Sequence, residues 1–177
     1  GAILSVLFAI AAIFVYILIR FRNVAYSVGS IVALAFDTMF VIGMFSLCYG
    51  WIGFSLEVDQ TFIGAVLTVI GYSINDNVVV FDRIRENMSN TSSKNEYAIM
   101  NGAMNSTLSR TFSTSMSTAV VLIIIFIFGG EVIRGFVFAM LVGVIVGTYS
   151  TLFVACPISY DLIARKNKGV ENASKEN

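Results

Sequence analysis

Apolar residues gather in five long runs, at 2–19, 25–48, 61–81, 109–128 and 132–157. Crossing a bilayer takes about 20 mostly apolar residues, so each run predicts a transmembrane α-helix. The expected fold class is all-α: a polytopic membrane bundle of five transmembrane helices over residues 1–164, followed by a polar tail at 165–177. The second and fifth runs are long enough to tilt. The stretch 82–108 is polar and reads as a loop outside the membrane. Within it, 82–89 predicts a charged helix and 90–94 a turn. Residues 95–108 predict an amphipathic helix with Tyr97, Met100, Met104 and Leu108 near helical spacing. From Asn167 onward the tail is polar and reads as disordered.

Charge orients these helices. Arg20, Arg22, Arg83, Arg85, Lys94, Arg110, Arg165, Lys166, Lys168 and Lys175 all fall at one membrane face. The other face carries Glu57, Asp59 and Glu131, with Arg134 its one basic residue. Basic residues stay in the cytoplasm, which puts the N-terminus outside and the C-terminus cytoplasmic. An odd number of spans starting outside implies that an earlier helix and an external domain precede Gly1. The start lacks a Met and a basic segment, so it is not a signal peptide.

Composition sharpens the class. Charged residues are 12% of the chain and hydrophobic ones 57%, where soluble domains carry about a quarter charged residues. The formal net charge is zero, so there is no bulk polycation for nucleic acid. The chain has no His, which removes His-based catalysis, metal ligation and proton shuttling. No phosphate-binding G-x-x-x-x-G-K-[ST] loop or G-x-S-x-G elbow occurs. The chain reads as a transport component and not an enzyme, with no cofactor and no metal, driven by an ion gradient or by a partner. Cys48 and Cys156 sit near opposite faces and are expected to be free thiols.

The chemistry concentrates in the third run. An Asp at the centre of a spanning helix costs roughly 2.5–3.5 kcal/mol on insertion scales, and such residues mark ion or proton pathways. Asp76 lies about 8 Å inside the run's end, between Asn75 and Asn77. Tyr72 and Asp76 share a helix face that continues through Val80 to Arg83, with Gly71 and Asn75 beside it. Asp76 is either a titrating carboxyl or a structural one that hydrogen-bonds a neighbouring helix. In the fourth run, Thr107, Thr111, Thr114 and Thr118 form one face and Ser106, Arg110, Ser113 and Ser117 another. Arg110 either reaches Asp76 as its counter-charge or snorkels to the interface. Asp37 sits midway along the second run on a small-residue face with Gly29 and Ala33. It serves either as a relay or as a protonated hydrogen-bond donor between helices. In the fifth run, Ala139, Gly143, Gly147, Thr151 and Ala155 recur at i+4, a packing stripe for another helix of this chain or of a second subunit.

Gly71-Tyr72-Ser73-Ile74-Asn75-Asp76, followed by Val78-Val79-Val80-Phe81-Asp82-Arg83-Ile84-Arg85-Glu86-Asn87, resembles the signature of the SecF family of protein-export membrane subunits. Leu108-Ser109-Arg110-Thr111, Phe128-Gly129-Gly130 and Leu141-Val142-Gly143-Val144 resemble further family segments. Leu34-Ala35-Phe36-Asp37 resembles one in which a His often precedes the Asp. The resemblance implies membership of the resistance-nodulation-division superfamily and a place in the bacterial cytoplasmic (inner) membrane. It implies pairing with SecD, in some cases within one fused chain. It also implies that proton-motive force is coupled to preprotein translocation through the SecYEG channel in the Sec pathway. Asp76 and Arg110 match family positions associated with proton transport, and the Ser/Thr face of the fourth run would be a hydrated lining. The coupling ion is read as the proton, with sodium the alternative. A small-molecule or lipid exporter of the same superfamily and a passive assembly scaffold are the competing functions.

Overall fold

The computed structural model describes residues 2–51, 56, 60–90 and 96–175, and every regular element among them is helical. The helices are α1 (Ala2–Phe21), α2 (Val24–Cys48), α3 (Gln60–Asn90), α4 (Glu96–Phe128), α5 (Glu131–Ser150) and α6 (Cys156–Lys175). A five-residue π turn, Thr151–Ala155, joins α5 to α6. Among the described residues, four stretches are long and apolar enough to cross a membrane: Val24–Cys48, Gln60–Asn90, Tyr97–Phe128 and Glu131–Asn167. The first predicted span forms α1, a helix of 20 residues whose sequence is apolar up to Arg20. Glu57, Asp59, Lys94 and most of the turn predicted over 90–94 lie outside the described residues.

The helices extend beyond the apolar runs. The charged helix expected over 82–89 is present as the end of α3, and the amphipathic one expected over 95–108 is present from Glu96 as the start of α4. α3 runs unbroken for 31 residues past Phe81, and α4 runs for 33 from Glu96. A helix satisfies its own backbone hydrogen bonds, so nothing forces a break where the apolar run stops. Likewise the fifth span does not end at Pro157, nor is the tail from Asn167 irregular, because α6 carries the helix to Lys175. Proline lacks an N–H and its ring crowds the carbonyl four residues back. The π turn absorbs this: the Cys156 N–H reaches the Thr151 carbonyl, five residues back. An Asp161–Arg165 pair at 2.8 Å supports the exposed side of α6.

The turns are built from specific residues. Arg22 takes a left-handed φ of 51° and donates its N–H to the Leu18 carbonyl at 2.7 Å, which stops α1. Asn23 then caps α2, its side chain accepting from the Ala25 N–H at 3.0 Å. Between α4 and α5 the chain turns on Gly129-Gly130. A Cβ on Gly129 would strike the Ile125 carbonyl and lie 2.9 Å from Ile133 Cδ1. Glu131 in the first turn of α5 complements the positive end of that helix.

α5 packs against α2, α3 and α4 at the centre of the bundle. Its buried face is Val137, Ala139, Gly143, Val144, Val146, Gly147 and Ser150. Lipid tails are as apolar as these side chains, so close van der Waals packing, not hydrophobic burial, holds such helices together. The outer faces are apolar and open: Ile127, Phe128, Val132 and Phe153 are all well exposed. The predicted amphipathic face of 95–108 is rotated. Ile99, Met100, Ala103 and Thr107 are buried, while Tyr97 and Leu108 are exposed.

Candidate functional site

α3 divides its polar side chains between two seams. Successive residues on a helix point about 100° apart. Val69, Ser73, Asn77, Val80 and Ile84 therefore form one buried stripe, and Tyr72 and Asp76 sit a quarter turn away, facing α4.

On the α4 side, Thr111 donates its hydroxyl to Asp76 Oδ1 at 3.0 Å, and Asp76 Oδ2 is buried without a hydrogen-bond partner. One turn further, Tyr72 donates to Ser115 Oγ at 3.3 Å, and Ser115 lies 2.5 Å from the Thr148 hydroxyl of α5. A hydroxyl chain thus crosses α3, α4 and α5. Asn75 is exposed beside Asp76.

Arg110 does not pair with Asp76. Among the described residues the ion pairs are Arg20–Asp82, Arg83–Glu86 and Arg165–Asp161. Arg110 immediately precedes Thr111, so with Thr111 facing Asp76 it starts about 100° round the helix, and it is exposed. The Thr face predicted on α4 is also split. Thr107, Thr111 and Ser115 are buried, whereas Thr114 is exposed and bonds back to the Arg110 carbonyl at 2.9 Å. Ser117 and Thr118 back-bond in the same way, at 2.8 and 3.0 Å. Those three hydroxyls meet their own needs within the helix.

On the other seam, Ser73 donates to Asp37 Oδ2 at 2.7 Å, and both residues are fully buried. Gly147 closes this contact from α5: a Cβ there would sit 3.4 Å from Ser73 and 3.7 Å from Asp37 Oδ2. Gly143, one turn earlier, rests on Val69. The small stripe of α5 thus packs on α3 of the same chain. Gly29, on the same face of α2 as Asp37, meets the Ala155 carbonyl and Ser159 of the π turn and α6.

The charged segment after Phe81 ties down the α1–α2 turn. Arg20 pairs with Asp82, and Arg85 reaches the Arg20 carbonyl at 3.5 Å. Phe81, fully buried, stacks with Tyr26 and meets Phe21 edge-on, at centroid distances of 4.8 and 5.9 Å. Arg83 bonds Glu86 at 2.7 Å and Ser106 of α4 at 3.1 Å. The Arg20–Asp82 pair is about two-fifths exposed on both sides, and exposed pairs contribute about 0–1 kcal/mol. Asp82→Asn is accordingly expected to lower thermal stability by no more than about 1 kcal/mol, measured by unfolding in detergent at low and high salt. The aromatic cluster beneath the pair does most of the holding.

This geometry suits movement of a light cation. Two carboxyls lie inside the helices, each with one oxygen held by a neutral hydroxyl and no basic partner within ion-pair distance. A carboxyl without a fixed counter-charge is free to carry a proton. Among the described residues no group of three or more His, Cys, Asp or Glu could hold a metal ion, and both cysteines are free. Sequence reasoning missed Ser73, Ser115 and Thr148. For Ser73 the signal was present as the i, i+4 line Val69–Ser73–Asn77. Ser115 continues the i, i+4 line Thr107–Thr111, and Thr148 follows Gly147 of the small stripe.

Comparison with known proteins identifies the family. A family model described as "Protein export membrane protein SecD/SecF, C-terminal" matches residues 1–165. A protein translocase subunit SecF from Rhodothermus marinus is 55% identical over 165 residues, 93% of this chain and 53% of that protein. SecF of Haemophilus influenzae is 42% identical over 94% of this chain and 49% of its own length. The chain thus spans about half the length of these relatives. A crystal structure of SecDF in its super-membrane-facing form matches with a TM-score of 0.86 at 38% identity, over 98% of this chain and 22% of that one. Another SecDF structure, a translocon-associated membrane protein from Thermus thermophilus, matches at 0.81 and 39% identity, over 94% of this chain and 22% of that one. An all-helical membrane bundle carrying the in-membrane Asp and the charged segment after it, matched along nearly its whole length, belongs to the SecD/SecF C-terminal family, in its SecF branch.

Proposed function

We propose that this chain is the membrane half of a SecF-type subunit that uses proton-motive force to assist preprotein translocation through the SecYEG channel. It would act in the bacterial cytoplasmic membrane beside a SecD half. The observation that carries this reading is Asp76: a carboxyl within a spanning helix, held through one oxygen by Thr111, with its other oxygen buried and unpaired. Such a group can hold a proton and release it when Arg110 swings close, since an opposite charge within about 4–6 Å favours the carboxylate. Placing the basic end, with Arg20, Arg83 and Arg85, in the cytoplasm follows the positive-inside rule and puts the C-terminus there.

Arg110 and Asn75 are exposed on this chain, and a charge open to lipid at that depth is costly. The face they form is where a SecD half would pack and supply polar contacts. The gradient then acts at an interface between two bundles.

A second reading, export of an apolar small molecule or lipid, is favoured by one feature. A groove of about 450 Å³ runs between α1, α2 and α3, lined by Ile31, Leu34, Thr38, Ile42, Val66 and Ile70 among others. Its size falls in the range of small-ligand sites. Reconstitution separates the two. With purified SecYEG, a SecD partner and a secretory substrate, the full protein is expected to raise export when a proton gradient is imposed. A protonophore should remove the gain and a sodium ionophore should leave it. The opposite ionophore pattern would assign sodium as the coupling ion. Absence of any gain, with gradient-driven efflux of an amphiphile instead, would favour the exporter.

A further inference from the structure

The seam between α2, α3 and the π turn is polar, buried and under-bonded. Ser27, Ser30, Asp37, Ser73, Asn77, Ser150 and Thr151 are all fully buried. Five of their side-chain atoms have no hydrogen-bond partner: Ser27 Oγ, Ser30 Oγ, Asp37 Oδ1, and both Asn77 Oδ1 and Nδ2. Nine in ten or more buried polar groups are paired, so five orphans in one seam require an explanation.

Their placement is ordered. Asp37 meets Ser73, and α2 runs antiparallel to α3, so Asn77, one turn on from Ser73, lies level with Ala33. Ala33 is fully buried and carries only a methyl side chain. Ser30 comes one turn below and Ser27 another, so the set spans about 15 Å along α2. Gly29 against the Ala155 carbonyl and Ser159 closes the seam on the α6 side. The Phe21–Tyr26–Phe81 cluster lies at its basic end, where the Tyr26 hydroxyl, 3.6 Å from Met88 Sδ, is the polar group through which the seam continues outward.

We propose that a column of ordered water fills this seam and gives Asp37 its own route for proton exchange toward the basic end of the bundle. A buried water typically makes about three hydrogen bonds to otherwise unsatisfied groups. The orphans include four oxygens and one amide donor. A bound cation would satisfy oxygens alone and leave Asn77 Nδ2 unpaired, whereas water both donates and accepts. The groups facing Asp37 from α3 and α5 are Ser73, Gly147 and Ser150, none of them charged. Of the other titratable groups on the surrounding helices, Asp76 turns to α4, Cys156 is buried at the start of α6, and Tyr26 lies in the aromatic cluster. Arg20, Asp82 and Arg85 lie at the basic end, beyond that cluster. Asp37 would therefore exchange through the column without passing Asp76.

The test is infrared spectroscopy on the full protein in lipid, carrying Asp76→Asn so that Asp37 is the carboxyl left inside the helices. This background makes the result independent of the role proposed for Asp76. At acidic pH the protonated Asp37 gives a carbonyl stretch, identified by its loss in Asp37→Asn, which moves on transfer to D₂O. Fast exchange is expected with the seam intact. Ser30→Val with Asn77→Leu should slow it by an order of magnitude or more. The gentler Ser27→Ala with Ser30→Ala should slow it less while the protein melts as before, which separates loss of water from loss of fold. A density map that resolves solvent should show water bonded to Asp37 Oδ1 and Asn77. Slow exchange in the unaltered seam, identical rates in all variants, or a dry seam would overturn the proposal.

Discussion

Asp76→Asn is expected to abolish gradient-stimulated export while leaving the subunit folded and inserted. Asn matches Asp in shape, and its carbonyl can still accept the Thr111 hydroxyl that holds Oδ1 at 3.0 Å. The change falls on Oδ2, already buried and without a partner. An amide donor left unsatisfied there costs about 1–3 kcal/mol, enough to lower the melting point and too little to prevent insertion of a bundle with this packing. Function should respond far more steeply. One charge crossing 100 mV supplies roughly 2.3 kcal/mol, and a side chain that cannot bind and release a proton draws none of it. In membrane vesicles, the export rate of the Asn variant with a gradient should equal the rate without one. Asp76→Glu, which keeps the acid but moves it by a methylene, should retain part of the stimulation. Full stimulation in the Asn variant would remove Asp76 from the role of proton carrier.

The apolar runs disclosed the helices because a spanning segment has to be apolar over a fixed length, and α2, α3, α4 and the α5–α6 rod follow them. Where those helices end was not legible. α3 and α4 leave the apolar zone without a break, since polar residues such as Asp82 and Asn101 do not disturb a backbone that bonds to itself. The π turn at Thr151–Ala155 hides Pro157 inside a continuous rod. Asp76 and Asp37 stood out because acids are expensive in lipid. Their partners did not, because a hydroxyl such as Ser73 or Ser115 is cheap in a membrane helix and tells nothing until its neighbour is known. Of the two readings of Arg110, the structure shows no ion pair with Asp76: Thr111, its neighbour, holds the carboxyl, and Arg110 is exposed about 100° round the helix. The stripe with Gly143 and Gly147 was legible as a packing surface. That it packs on α3 required three dimensions.

That stripe carries the largest expected structural effect. A Cβ on Gly143 would lie 2.6 Å from Val69 Cγ1 and 2.9 Å from Val69 Cβ. Val69 is 2% exposed, so it has nowhere to move, and β-branched side chains in a helix hold essentially one rotamer. The backbones must separate instead. Overpacking of this kind costs about 1–3 kcal/mol, occasionally more, and here α5 also carries Gly147, whose contact with Ser73 and Asp37 lies one turn away. Gly143→Ala is therefore expected to lower the melting temperature clearly and to weaken gradient-driven export, while Gly143→Leu should keep the folded subunit from accumulating. Gly147→Ala, where the new Cβ would meet Ser73 at 3.4 Å, should be nearly neutral for stability. Val69→Ala combined with Gly143→Ala should recover much of the loss, because residues in direct contact show strong coupling in a double-mutant cycle. If the Gly143→Ala protein melts like the parent, or if Val69→Ala fails to rescue it, α3 and α5 are not held by this contact, and the Asp37–Ser73 seam beside it is not fixed by the glycines of α5.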